Sequence, residues 1–290
     1  MIVSAEVAAI TSRFNEMYGH AAILRNHIGI DDDRLKIVGQ LQHGWTIQAG
    51  VYFDPSPYYL WNDRSAEGPL AAEERKNEVF KIGSPYLYLP PPPDVLDIGR
   101  VPRSLLAIPQ HTTSGHRARE PYWDWFGYGK WLAKIREEAE LHQVTVCLHE
   151  NDYNDFGVVA ALSRSGVCVA TAGDARMQST TFLDRMRALF IQHGMVTSNA
   201  IGTAVFYAAY EGLPVFIDGP PPDVIVARKT AEWINSEVCD PGLINKEFPG
   251  WYCSWREATP HKEEADYELG VKYKKSRAEL WDILRMAVMI

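Results

Sequence analysis

Residues 193–217 read HGMVTSNAIGTAVFYAAYEGLPVFI, and the order of the pieces in this run decides the fold. A short β-branched run, MVTS (195–198), hands over to an apolar helical run, IGTAVFYAAYEG (201–212); Gly212 stops it and LPVFIDG (213–219) follows as a second strand. Strand, helix, strand is the crossover unit of a parallel sheet, because parallel neighbours need a connection long enough to pass over the sheet face. The junction T-S-N-x-x-G-T is polar where the rest is apolar. Ser198 or Asn199 can cap the helix by accepting one of its unpaired N–H groups. Gly202 and Thr203 are not needed for that, and glycine inside a first helical turn costs up to about 1 kcal/mol relative to alanine. Unpaired amides and the positive end of a helix dipole also suit a phosphate. On these residues alone, cap and anion cradle both stay open.

The same alternation extends upstream. SLLAIPQ (104–110), VTVCLHE (144–150) and VCVATAG (167–173) read as strands, and YGKWLAKIREEAELH (128–142), FGVVAALSRSG (156–166) and FLDRMRALFIQHG (182–194) as helices. Strands alternating with helices of this length predict a mainly parallel, Rossmann-like sheet covered on both faces. Before it lie shorter runs: a helix carrying Val7, Ile10, Phe14 and Met17 on one face, then KIVGQLQHGW (36–45), PYYLWND (57–63) and EVFKIGSPYLYL (78–89). Consecutive prolines at 90–93 hold an extended conformation that joins neither a helix nor an inner strand, so the domain boundary is expected there. The expected class is α/β with two Rossmann-like domains, the N-terminal one short. Its divisions are 1–92, 93–275 and a C-terminal helix at 276–290 that packs back.

The chain has 290 residues, 46% hydrophobic and 23% charged, which suits a globular protein and excludes wholesale disorder. No apolar stretch reaches the roughly 18 residues of a membrane span, and the N-terminus lacks a signal peptide's basic and apolar regions. The expectation is a cytoplasmic protein, with room for peripheral membrane contact. A net charge of −8, with V-K-Y-K-K (271–275) as its longest basic run, disfavours nucleic acid as a partner. Cys147 and Cys168 lie in apolar strand-like runs and read as buried free thiols; with Cys239 and Cys253 they form no CxxC pair. There is no G-K-[ST] phosphate loop and no G-x-G-x-x-G, which argues against an NTPase and against an NAD-dependent dehydrogenase.

In open parallel sheets ligands bind at the carboxyl ends of the strands, where the strand order reverses. The polar residues expected at such ends are His43, Ser84, the loop HTTSGH at 111–116, His149 and Glu150, Gly173, and Ser198 with Asn199. His43, in Q-H-G-W, is a candidate general base because imidazole titrates near neutrality. His149 and Glu150 either orient a sugar hydroxyl or cap the next helix. H-x4-H in the 111–116 loop lacks the third ligand that a zinc site needs. The loops P-Y-W-D-W-F-G-Y (121–128) and W-Y-C-S-W (251–255) suit sugar stacking, a homodimer interface or plain packing.

Four stretches together resemble a known family: Q-H-G-W (42–45), V-F-K-I-G-S-P (79–85), L-L-A-I-P-Q-H-T (105–112) and V-T-S-N-A-I-G-T-A-V-F-Y-A-A-Y-E-G-L-P-V (196–215). They are similar to two-domain GT-B glycosyltransferases, especially bacterial capsule and surface-polysaccharide transferases, which share their fold with teichoic acid polyol-phosphate transferases and nucleotide-sugar 2-epimerases. The resemblance implies a nucleotide-activated sugar or polyol as donor, a glycan as acceptor, no metal and no cofactor beyond the donor. It implies that His111, Thr112, Thr113, Ser198, Asn199, Gly202 and Thr203 hold the donor phosphates. Ser84, His149, Glu150, Gly173 and Glu211 would hold the sugar or nucleoside, with Asp218 competing with Glu211 for the ribose, and His43 would deprotonate the acceptor. A hydrolysing epimerase would use the same pocket with further carboxylates, and a catalytically silent glycan- or nucleotide-binding protein would keep only the fold.

Overall fold

The computed structural model of the chain describes residues 11–45, 56–71, 78–91, 99–110, 124–174, 181–220 and 241–288. Its contacts divide it into two compact units: Met1–Pro91 with Ala175–Asp184 and Glu263–Ile290, and Pro92–Asp174 with Arg185–Lys262.

The second unit is a five-stranded, all-parallel sheet. Its strands are β5 (Ser104–Ala107), β6 (Gln143–Leu148), β7 (Cys168–Thr171), β8 (Met195–Ser198) and β9 (Val215–Ile217), in the order β7-β6-β5-β8-β9. The chain therefore starts in the middle, builds outward to β7, then returns to the other side of β5. That reversal is the Rossmann-like pattern. β5 is paired on both sides, Leu105 with Val144 and Met195, and Leu105, Leu106 and Ala107 are fully buried. A continuous apolar run is what a parallel strand covered on both faces requires. The helices Trp125–Glu138 and Phe156–Arg164 contribute Tyr128, Leu132, Val158 and Leu162 to a core with Leu105, Val144 and Val146. Asp124 and Asp155 cap these helices by accepting the Gly127 and Gly157 N–H groups. Each such cap is worth about 1 kcal/mol.

The expected strands and helices of this half are all present, displaced at their ends by a few residues. Cys168 differs: it opens the outer strand β7 and is exposed, whereas Cys147 is buried on β6 and burial pushes its thiol up to about 12. The segment 121–128 is divided. Residues 121–123 lie outside the described part, while Trp125 and Tyr128 are buried core residues of a helix, so packing accounts for them.

The first unit is built from shorter pieces. β2 (Gln40–Leu41), β3 (Tyr58–Leu60) and β4 (Val79–Lys81) form a three-stranded parallel sheet, and β1 (Leu35–Ile37) pairs antiparallel with β10 (Met286–Val288). The run 36–45 is thus two strands, not one. Gly39, at φ +90, turns the chain between them, and a side chain there would strike the Pro57 backbone. The expected N-terminal helix is also broken. Phe14 and Met17 lie on a 3-10 segment, Arg13–Gly19, that kinks at Met17 and Tyr18 before the helix His20–Ile28; Val7 and Ile10 lie outside the described residues. The C-terminal helix is Arg277–Ile283, ended by Leu284 in extended backbone and followed by β10. It does pack back, with Arg277 Nε donating to the Ile28 carbonyl at 3.0 Å. Among the described residues, no helix is long and apolar enough to cross a membrane.

Candidate functional site

Because the five strands of the second unit are parallel, their carboxyl ends share one edge. His149 and Glu150 follow β6, Gly173 follows β7, Ser198 and Asn199 end β8, and Asp218 follows β9. The reversal of strand order falls between β5 and β8. Asn199 stands there. Its Oδ1 accepts the Gln110 N–H at 2.9 Å and its Nδ2 donates to the Pro220 carbonyl at 3.3 Å. One side chain thus ties the segment leaving β5 to the segment leaving β9, through two solvent-exposed hydrogen bonds of about 0.5 kcal/mol each.

The junction Thr197–Thr203 differs from a simple cap. The helix is Thr203–Tyr210, and its N-cap is Gly202, which offers no side chain to the exposed amides. Gly202 sits outside the helix in extended backbone (φ −161), so the expected penalty for a first-turn glycine does not arise. Among the described residues, no atom lies within 4 Å of where a Cβ on Gly202 would stand. Ser198, by contrast, is buried as the last residue of β8, and its Oγ accepts the Ala200 N–H at 3.4 Å. Neither Ser198 nor Asn199 caps the helix. Ser198 shapes the turn, and Asn199 latches it.

Beside this turn lies an open pocket of about 580 Å³, lined by Asn199, Asp218, Tyr252, Cys253, Ser254 and Glu257, with Ile217 and Gly219. Burial pushes the Tyr252 hydroxyl up, opposed by a hydrogen bond from the Ile201 backbone, so this ring touches the same turn. Ser254 donates to Glu257 Oε2 from both its N–H (3.1 Å) and its hydroxyl (2.9 Å), which holds the Glu257 carboxyl below its usual range. Burial raises the Cys253 thiol, and the Glu257 and Asp218 charges raise it further. The lining is chemically mixed: Asn199 brings a side-chain amide, while Asp218 and Glu257 bring two carboxylates, which accept hydrogen bonds from hydroxyls and repel anions.

The other expected residues take structural places. His149 caps the short helix Glu150–Tyr153, with Nδ1 accepting the Asn151 N–H at 3.2 Å, which is the capping alternative of the two weighed for it. Gly173 has φ +91 and leaves room for Arg185, whose Nε donates to the Ala172 carbonyl at 2.7 Å. Glu211 ends the Thr203–Tyr210 helix at the far end from the turn and pairs with Arg187 at 3.3 Å, so the structure does not bring it to the sheet edge. Ser84, in the first unit, is fully buried and caps the 3-10 turn Pro85–Tyr88 through the Tyr86 N–H. His111, Thr112 and Thr113 lie outside the described residues. His43 is in the first unit, half-buried, with Tyr18 stacked on it at 4.9 Å and Phe14 tilted against it at 5.8 Å.

Tyr252, Ser254 and Glu257 escape the sequence reading, which took W-Y-C-S-W for its aromatic rings alone. An isolated bridge from Thr259 to Val215 on β9 brings them to the site, a contact across more than forty residues with no periodic signal. Among the described residues, no group of three His, Cys, Asp or Glu could hold a metal ion.

No protein-family model matches the chain, and no curated protein does. Solved structures align with it at low similarity. One is the wall teichoic acid polymerase TagF, at 12% identity over 82% of this chain and 61% of that one, with a TM-score of 0.37. Another is a UDP-GlcNAc 2-epimerase from Neisseria meningitidis bound to UDP-GlcNAc, at 10% identity over 78% and 58%, with a TM-score of 0.37. A third, from Listeria monocytogenes and designated a UDP-N-acetylglucosamine 2-epimerase, has 14% identity over 76% and 54%, with a TM-score of 0.36. The chain spans about half to three fifths of the length of these structures. At such scores the likeness carries no weight for chemistry.

Proposed function

We propose that the chain binds a nucleotide-activated sugar, or polyol, at the carboxyl edge of its second unit and transfers the activated group to a glycan hydroxyl. The observation that supports this is the pocket at the carboxyl edge of the sheet, lined by Asn199, Asp218, Tyr252 and Glu257, next to the turn that opens the Thr203–Tyr210 helix. The donor's diphosphate would lie against the amides of Gly202 and Thr203, where the helix dipole stabilises negative charge and favours departure of the nucleoside diphosphate. Its hydroxyls would face the carboxylates. His111, Thr112 and Thr113, which follow β5 in the sequence, are proposed to help hold the phosphates. His43 is proposed as the base that takes the acceptor proton. Acceptor, surface-polysaccharide pathway and a peripheral or dimeric state belong to the same proposal.

A hydrolysing 2-epimerase is a second reading, favoured by one observation: two carboxylates, Asp218 and Glu257, line one pocket, and that chemistry needs carboxylates near the sugar. Incubation with radiolabelled nucleotide sugars separates the two. Transfer gives labelled glycan and free nucleoside diphosphate; epimerisation gives labelled free sugar with no acceptor present. Release of neither product by the wild-type chain would defeat both enzymatic readings. In the transfer reaction His43→Ala is expected to lower turnover by about 10²-fold or more while leaving donor affinity within twofold; equal losses in both would make His43 structural.

A further inference from the structure

The kink in the first unit places a bulky residue in left-handed backbone. Met17 is extended (φ −64, ψ 144), and Tyr18 (φ 57, ψ 10) and Gly19 (φ 75) are both left-handed. Glycine adopts that conformation freely, whereas a bulky side chain does so at a cost of order 1 kcal/mol or more. A tyrosine persists there when its ring is needed. The Tyr18 ring lies on His43 at 4.9 Å with 29° between the planes, backs onto Phe182 at 5.1 Å and reaches His20 at 5.6 Å.

We infer that Tyr18 is a positioning residue for His43, whose ring it holds in a stack that favours the protonated imidazole. The inference builds on the role proposed for His43. His43 faces Tyr18 and Phe14 from the 3-10 segment and His20 from the helix that follows. His20 is no competitor for a proton, since burial first, and the His43 charge second, push it down to about 3. A cation over the face of a tyrosine ring is attracted by its electron-rich centre, and a cation that forms only on protonation raises the pKa of the group beneath. The phenol hydroxyl has no part in this, so phenylalanine serves equally.

The test is an NMR titration of the His43 Cε1–H in the full-length chain, which needs no substrate. Tyr18→Phe is expected to titrate with the wild type. Tyr18→Asn and Tyr18→Gly both accept the left-handed backbone, circular dichroism checks that each is folded, and His43 in them is expected to titrate about half a unit lower. A wild-type pKa in the Asn and Gly variants, or the same fall in Tyr18→Phe, would overturn the inference. Turnover separates it from the reading it builds on. A fall in kcat with unchanged donor affinity in the Gly variant supports both. An unchanged kcat beside a shifted pKa supports the stack and removes His43 from catalysis.

Discussion

The two units solve the same problem, a parallel sheet with its backbone groups satisfied, by opposite means. In the second unit the strands run three to six residues and pair continuously, around a centre of Leu105, Leu106, Ala107 and Val146 that holds no exposed atom. In the first, the parallel strands are two or three residues long, and buried polar side chains complete what the ladder leaves open. Asn15 donates to the Ile37 and Gly39 carbonyls at 3.0 Å and accepts the Leu41 N–H at 2.8 Å. Gln42 Oε1 accepts the Trp61 N–H at 2.8 Å. Glu268, almost fully buried, accepts from Trp45 Nε1 at 2.8 Å, from Asn62 and from Arg64. Both units bury apolar side chains, Leu24, Tyr58 and Trp61 among them in the first, but the first adds single polar side chains that each hold several partners. Buried polar networks of that kind fail sharply, because every lost member leaves the others unpaired in a low dielectric.

The largest expected effect therefore belongs to the first unit. Glu268→Ala strands Arg64, Trp45 and Asn62 together and is expected to cost about 4 kcal/mol; chemical denaturation followed by Trp fluorescence measures it, and a cost below 1 kcal/mol would mean the network is not what holds this unit. Leu106→Ala, the counterpart in the second unit, is expected to cost about 3 kcal/mol through lost burial and a cavity. The contrast sharpens if Leu106→Met is nearly silent while Glu268→Gln still costs more than 1 kcal/mol.

Acid provides the next test. Folded His20 stays neutral down to about 3, while in the unfolded chain it protonates near 6.5. Protons bind the unfolded state preferentially in that window, so stability falls as pH drops below about 6.5, by about 2 kcal/mol between pH 7 and 5. His193, also pushed down by burial, adds to the slope from the second unit. Denaturation at the two pH values should show His20→Phe losing most of this dependence; an unchanged slope would refute the assignment. The smallest effect on stability is expected for Asn199→Ala, about 1 kcal/mol, but with at least a tenfold loss of nucleotide affinity by calorimetry.

The same contrast explains what the sequence made legible. Each strand of the second unit could be read because a buried parallel strand is an uninterrupted apolar run bounded by an amphipathic helix, as in SLLAIPQ and MVTS. Two-residue strands such as Gln40–Leu41 leave no period to read, and the turn at Gly39 is set by the approach of Pro57, a contact local pattern cannot show. β10 escaped because Met286–Val288 continues an apolar helical run and becomes a strand only by pairing with β1. At the site, position was legible and role was not. The carboxyl-edge rule led to Asn199, and the family resemblance to Asp218, but that Gly202 rather than Ser198 precedes the helix depends on backbone angles, and Glu257 arrives through a distant bridge.

The central claim is that the turn Asn199–Thr203 cradles the diphosphate of a nucleotide sugar. Thermal unfolding with UDP-, CDP- and GDP-sugars tests it most directly, since a ligand at 100 times its dissociation constant adds roughly 2.7 kcal/mol of stability. One of them is expected to raise the melting temperature of the wild-type chain by several degrees, and Gly202→Val, which fills the open space above the turn, is expected to abolish the shift while leaving the unliganded melting temperature in place. No shift with any of them, or an equal shift in Gly202→Val, would contradict it.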